Sequence, residues 1–373
     1  MSAAANGRPV LFVTGHAPAD RHAAFAALHE REGVEFALFG GRIQHGFQAG
    51  AERAELPFPS LRVSQRQIAA LAASGRYRAV VCSTAGRLAL PAAWTGARRA
   101  RLPLILWTSL WAHPRSAAHA LSYPVLLRLY RSADAIVTYG PHVSAYVRAR
   151  GARNVHVAPQ AVDNAFWGSP QTTPPPSPPW PRAAAVKFLF AGRPTREKGL
   201  GALIEAWSNS GLTAPTAALV LVGVGSAPPW VPAGGAVRQS SVWLEPVPPQ
   251  ALRDLYEAAN VLVVPSIPTR TFREPWGLVV NEAMNRQLPV IASNAVGAAA
   301  GGLVRDGHNG LVVPAGDVGA LADALRRLAA DAPLRARLGA AGARDVQAYT
   351  YDAWAAGFSA ALTSLDLSRE VRW

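Results

Sequence analysis

Ser266–Asp317, SIPTRTFREPWGLVVNEAMNRQLPVIASNAVGAAAGGLVRDGHNGLVVPAGD, follows the apolar run NVLVVP at 260–265, and its reading decides the fold. A short apolar run of this kind is a buried strand. The charged residues after it therefore lie past a strand's carboxyl end, where open α/β sheets bind ligands. Two carboxylates, Glu274 and Glu282, frame a segment in which Pro275 and Gly277 interrupt regular structure before LVVNEAM resumes a helical pattern. The first glutamate is thus predicted on a loop and the second on a helix. A helix starting near Gly277 aims its unpaired amide N–H groups and positive dipole end back at that loop, which suits a phosphate. Singly, Glu274 reads as a solvated loop residue and Glu282 as part of an exposed helical face. Their pairing around Gly277, behind a strand, is what marks a site.

Glu274-Pro-Trp-Gly-Leu-Val-Val-Asn-Glu282, followed by LPVIAS (288–293) and DGHNGLVV (306–313), resembles the E-x7-E region of the family-4 retaining glycosyltransferases. The resemblance implies an α/β fold of the GT-B type, with two Rossmann-like domains facing each other across a cleft. It implies that Glu274 touches hydroxyls of a donor sugar and that the amides following Gly277, at Leu278 and Val279, hold a diphosphate. Glu282 then takes the ribose hydroxyls of the nucleotide. The sequence departs from the family at Gly301 and Gly302, where many relatives place an acidic residue before LeuVal.

A second constellation lies upstream in VKFLFAGRPTREKG, residues 186–199. The apolar run is a strand, and Leu200, Leu203, Ile204 and Trp207 follow the spacing of a buried helix face. Arg193 and Lys198 fall in the turn between them, beside Gly192. Surface cations are common, yet two at one strand-to-helix turn neutralise a diphosphate, as a fork and as a point charge respectively. The resemblance places this pair on the leaving diphosphate. It also takes the glycine turn after the next strand, at Gly223, close to the nucleotide. With no paired-aspartate motif and no His/Cys cluster, no metal and no cofactor is expected beyond the nucleotide diphosphate sugar itself, UDP-sugar being favoured by family frequency. Stabilisation of the departing diphosphate then falls to positive side chains and helix amides.

The amino-terminal half alternates strands and helices. VLFVT at 10–14 is a strand; Gly15-His16-Ala-Pro-Ala-Asp20 is a turn leading to a helix; further strands are predicted at 35–39, 79–83 and 103–107. Strand, glycine, helix opens a Rossmann-like domain. One glycine is not a dinucleotide fingerprint, so a nicotinamide enzyme is disfavoured. By resemblance Gly15 faces the donor and His16 the acceptor, although His16 reads equally as a turn cap. His113 follows the 103–107 strand, where it can reach a sugar hydroxyl or sense a phosphate near neutral pH; a structural role is the plainer alternative. The basic segment 115–131 reads as a helix packed on the sheet with arginines at its rim, or as one lying on a membrane surface.

The proline-rich stretch at 168–182 favours neither helix nor sheet and divides the chain. Residues 1–167 are expected to form an acceptor domain and 183–350 a nucleotide-sugar domain, with 351–373 a helix crossing back to the first. A chain of 373 residues, 50% hydrophobic, has material for two cores. Its one cysteine, Cys82, sits in an apolar run, which excludes a disulfide framework and fits a reducing cytoplasm. No run of about 20 apolar residues is available to span a bilayer. The net charge of +14 is lopsided, with 19 basic and 8 acidic residues in 1–180 against 18 and 15 in 181–373. That excess suits an anionic partner: the nucleotide sugar, or the inner face of a membrane met peripherally. With no helix-turn-helix, zinc or aromatic RNA-binding pattern, nucleic acid is not expected.

The sequence therefore reads as a retaining, metal-independent glycosyltransferase acting on an unidentified hydroxyl acceptor such as a glycan, a lipid-linked glycan or a secondary metabolite. A sugar phosphorylase or epimerase on the same architecture, and a catalytically silent nucleotide-sugar-binding subunit, are the alternatives. The presence of Arg193, Lys198, Glu274 and Glu282 together argues against the silent subunit.

Overall fold

The computed structural model describes residues 7–40, 56–86, 88–169, 180, 184–229, 231 and 235–367. The chain divides into two compact units, Met1–Ala161 with Tyr349–Trp373, and Val162–Ala348. The proline-rich stretch lies outside the described residues except for Gly168, Ser169 and Trp180.

The first unit is built on β1 (Val10–Thr14), β2 (Val34–Leu38), β3 (Ser60–Arg62), β4 (Ala79–Ser83), β5 (Leu104–Thr108), β6 (Ala135–Thr138) and β7 (Val155–Val157). They form one parallel sheet in the order β3-β2-β1-β4-β5-β6-β7. Parallel strands need crossovers that cover both faces, and the central strands β1, β4 and β5 are accordingly buried at every position. One face packs on helices His22–Glu32 and Tyr351–Thr363 through Phe12, Phe25, Phe36, Trp354 and Phe358. The rings of Phe25 and Phe36 stack at 4.6 Å. The other face takes Leu11, Val80 and Leu106 against Ala93 and Ala97 of helix Ala89–Arg99. Cys82 is fully buried there, and burial alone pushes its thiol pKa up, so it is an inert core residue.

Helix Ala117–Ser132 departs from the expectation that it packs along the sheet. It buries only Leu129 and Tyr130 fully, and its first half is exposed. Only its carboxyl-terminal half carries apolar side chains that meet the sheet layer, Leu129 and Tyr130 with Leu126 partly buried beside them.

The second unit holds β8 (Val186–Ala191), β9 (Ala217–Val222), β10 (Ser241–Leu244), β11 (Val261–Val264), β12 (Val290–Ser293) and β13 (Gly310–Val313), all parallel, in the order β10-β9-β8-β11-β12-β13. Leu200, Leu203, Ile204 and Trp207 of helix Leu200–Ser210 are buried against the sheet. So are Leu321, Leu325 and Leu328 of helix Val318–Ala330, whose first turn is capped by Asp317 accepting from the Ala320 amide at 2.9 Å. In helix Pro249–Ala258, Leu255 and Tyr256 are buried and Leu252 stays partly exposed.

Candidate active site

The strand order of the second unit locates the site. From β8 the chain winds outward through β9 to β10, then returns to β11 on the other side of β8 and winds out to β13. The crevice at the carboxyl ends of β8 and β11 is therefore the switch point at which doubly wound sheets bind ligands. The two constellations legible in the sequence meet there. Lys198 follows β8, Glu274 follows β11, and Lys198 Nζ lies 2.5 Å from Glu274 Oε2.

Local backbone chemistry brings the two turns together. Gly199 has φ +71°, and a Cβ on it would stand 1.9 Å from the carbonyl oxygen of Pro265. Only glycine allows the turn after β8 to touch the end of β11. The Ile267 amide donates to the Glu197 carbonyl at 2.9 Å and ties the loops once more. Glu274 is buried, 7% exposed, where a solitary loop residue would be solvated. Its Oε2 also accepts from Ser266 Oγ at 3.3 Å, and Ser293 Oγ donates in turn to the Ser266 carbonyl. Its backbone bridges to Val296, with the Gly297 amide donating to the Glu274 carbonyl at 3.1 Å. The carboxylate is thus fixed from both sides, and the Lys198 ammonium is oriented by it.

Gly192 forms the floor beneath Lys198; a Cβ there would lie 3.9 Å from Lys198 Cδ. Gly223, at the end of β9, abuts the Gly192 carbonyl. Arg193 is more open, its side chain 38% exposed and its Nη2 4.0 Å from Glu197 Oε1. Arg193 and Lys198 thus each stand beside a carboxylate.

After Gly277 the chain enters helix Val279–Asn285, whose N-cap Leu278 supplies no side-chain acceptor. The start of the helix is pinned by Trp276 Nε1 donating to Asn281 Oδ1 at 2.8 Å, both side chains buried. Glu282 is partly buried and accepts from the Tyr256 hydroxyl at 2.8 Å. Burial first, and the neighbouring Glu282 second, hold the Tyr256 pKa well above its ordinary value, so the phenol remains a donor to the carboxylate.

The remaining candidates belong to the first unit. Its own switch point lies between β1 and β4. Gly15 follows β1, its carbonyl accepting from the Gly40 amide at 2.9 Å. The adjacent His16 buries Nε2 with no hydrogen-bond partner among the described residues. His113 turns onto the helix that follows it: Nε2 meets the His119 carbonyl at 3.0 Å and the ring lies 4.4 Å from Tyr123. At the same sheet end Arg21 is buried and donates to the buried Gln160, with Tyr139 close by.

Several residues of these sites escaped the sequence reading. Ser266 and Ser293 sit at or just past the ends of β11 and β12, and reading every polar residue at a strand's carboxyl end would have found them. Tyr256 is a fully buried helix residue, and helical periodicity carries no sign of where its hydroxyl points. Arg21 and Gln160 are 139 positions apart, and nothing local links them. Among the described residues no group of three His, Cys, Asp or Glu could hold a metal ion, and no helix is long and apolar enough to cross a membrane.

Residues 185–331 match the family described as glycosyl transferases group 1. That span contains Gly192, Arg193, Lys198, Gly223, Glu274 and Glu282. D-inositol 3-phosphate glycosyltransferase of Streptomyces coelicolor is 41% identical over 125 residues, covering 33% of this chain and 24% of that protein. The matched stretch thus spans about a quarter of the first curated relatives' length. Over the whole chain the likeness is structural. The Anabaena protein HepE, solved with UDP and glucose, superposes with a TM-score of 0.70 at 17% identity, covering 96% of this chain and 100% of that one. Sucrose-phosphate synthase of Thermosynechococcus elongatus gives 0.69 at 21% identity, covering 96% and 99%. The fold, two Rossmann-like units each on a parallel sheet, is of the GT-B type.

Proposed function

We propose that this protein is a retaining, metal-independent glycosyltransferase of the family-4 kind, moving a sugar from a nucleotide diphosphate sugar, UDP-sugar favoured, to a hydroxyl acceptor. The observation that carries the reading is the Lys198–Glu274 pair at the switch point of the group 1 domain. The diphosphate lies along the Gly192-Arg193…Lys198 turn and the uncapped helix start after Gly277, passing Gly223. Lys198 supplies a fixed point charge and Arg193 an open fork. Glu274 orients Lys198 and faces the sugar hydroxyls; Glu282, steadied by Tyr256, takes the ribose. Gly15 and His16 are assigned to donor and acceptor by the resemblance alone, and His113 to catalysis by its place after a strand's carboxyl end.

The bond from the anomeric carbon to the diphosphate oxygen breaks as the acceptor oxygen bonds to the same face. The acceptor's proton passes to the departing diphosphate oxygen. Negative charge grows on the diphosphate in the transition state, and preorganised cations there stabilise it more than they stabilise the bound donor. Nucleotide sugars and many acceptors are cytoplasmic, which is the location the reading favours.

The test is incubation with UDP-, GDP-, ADP- and dTDP-sugars in the presence of candidate hydroxyl acceptors. One donor should give nucleoside diphosphate and glycoside in equal amounts, with the anomeric configuration kept. Turnover of donor only with added phosphate marks a phosphorylase, and conversion of donor alone marks an epimerase; either overturns the proposal.

The two framing glutamates should separate. Glu274→Gln should depress kcat, whereas Glu282→Gln should mainly raise donor KM, about tenfold, because uniform binding of ground and transition states does not speed the chemical step. Calorimetry with free nucleoside diphosphate should show affinity falling for Glu282→Gln and hardly changing for Glu274→Gln. The reverse order would show that the donor lies the other way round. Excess chelator should leave turnover intact; a full loss restored by divalent metal would contradict the metal-independent mechanism.

A further inference from the structure

From Leu56 to Ala133 the sequence holds eleven arginines and not one aspartate or glutamate. Two helices of that stretch, Ala89–Arg99 and Ala117–Ser132, meet through their carboxyl-terminal halves. Arg98 Nη2 donates to the Ser132 carbonyl at 2.9 Å, and the Arg128 guanidinium sits over the Trp94 ring at 5.6 Å. Both contacts join residues 34 positions apart, so the helices run in the same direction. The same offset, carried back towards the amino ends, sets Pro91 level with Val125 and Leu88 level with Ser122, the neighbour of Leu121. Leu88, Leu121 and Val125 are 55%, 83% and 50% exposed, three of the four exposed large hydrophobics among the described residues.

On or flanking the same two helices Arg98, Arg99, Arg101, Arg115, Arg128 and Arg131 are exposed. Among the described residues none of the six forms an ion pair with a carboxylate. Exposed apolar tips on helices that also carry unneutralised cations select a partner with anionic groups at its surface and hydrocarbon just beneath. Nucleic acid would engage the arginines but offer nothing to Leu121 and Val125. A neutral bilayer would do the opposite.

We propose that this face, formed by Leu88, Leu121, Val125 and these arginines, docks the protein on an anionic phospholipid bilayer. Leu121 and Val125, one helical turn apart, enter the headgroup layer while the arginines meet lipid phosphates. The docking is independent of the sugar-transfer reading, since none of these residues belongs to the site described above.

Co-sedimentation of the full chain with phosphatidylglycerol-containing vesicles and with pure phosphatidylcholine vesicles tests it. Binding should be confined to the anionic vesicles and should fall as salt rises from about 0.05 to about 0.5 M, as screening requires. Arg99→Ala and Arg115→Ala should each lower partitioning about fivefold, the effect of roughly 1 kcal/mol per basic residue at such a surface. Leu121→Asp combined with Val125→Asp should abolish binding at unchanged thermal midpoint, since both side chains are already exposed. The proposal is overturned by no pelleting with anionic vesicles at low salt, by equal binding to neutral vesicles, or by wild-type partitioning of the arginine variants. Retention on a soluble polyanion without vesicle binding would likewise show that the face serves a different partner.

Discussion

Replacing Lys198 with alanine is expected to lower turnover about a hundredfold or more, some 3 kcal/mol of leaving-group stabilisation. The ammonium is fixed before any donor binds. Glu274 holds it at 2.5 Å, the carboxylate is itself held by Ser266, and Gly192 lies under the lysine stem. A charge placed in advance costs no reorganisation when the diphosphate departs, so its removal falls on kcat as well as on binding. Lys198→Ala also leaves Glu274 buried without its cation, which has its own cost. Arg193→Ala is therefore the companion experiment. Its side chain is 38% exposed and the carboxylate beside it, Glu197, is 21% exposed against 8% for Glu274, so a fall of similar size there owes less to a stranded buried charge. Steady-state rates with the accepted donor, on variants whose unfolding curves match the parent, decide the matter. Near-normal turnover in both variants would remove the basic turn from the reaction.

Replacing Arg78 with alanine is expected to destabilise the first unit by about 3–5 kcal/mol, the usual consequence of breaking a buried charge pair by deleting one partner. Arg78 is 2% exposed and Glu32 4%. The guanidinium donates from Nη2 to Glu32 Oε2 at 3.0 Å and to the Glu32 carbonyl at 2.9 Å, from Nη1 to the Arg8 carbonyl at 2.5 Å, and from Nε to the Leu367 carbonyl at 3.0 Å. One side chain thus clamps the strand-β1 approach, the end of helix His22–Glu32 and the segment that follows helix Tyr351–Thr363. Alanine takes the guanidinium donors from three carbonyls and from the buried Glu32 carboxylate, while Arg78→Lys keeps the charge but cannot serve all four and should lose less. Urea unfolding followed by tryptophan fluorescence reads this directly, because Trp107 and Trp354 are both buried in that unit. A loss below about 1 kcal/mol for alanine would show that the clamp contributes little.

The sequence alone carried the elements and their chemistry. Strand β4 spans the apolar run 79–83 that was read as a strand, and the buried face of helix Leu200–Ser210 is the one its spacing predicts. Asp317 caps the helix it precedes. These features are local: strand burial, helix periodicity and capping depend on neighbours within a few positions, and the residue types state them. The two basic and two acidic residues of the candidate site were legible for the same reason, each standing just past a strand or at the start of a helix.

Only the tertiary structure decided which of them meet. Lys198 and Glu274 are 76 positions apart, and their contact exists because β8 and β11 are neighbours in the sheet although two strands intervene in the chain. Tyr256 on Glu282, Arg21 on Gln160 and Arg78 on Leu367 are likewise products of packing between elements. The exposure of Leu121 and Val125 is another, since an amphipathic helix shows in sequence which side chains share a face but not whether anything covers it. Periodicity assigns a residue to an inside or an outside; the partner it finds there is set by strand order and crossover, long-range properties of the chain that no window of sequence contains.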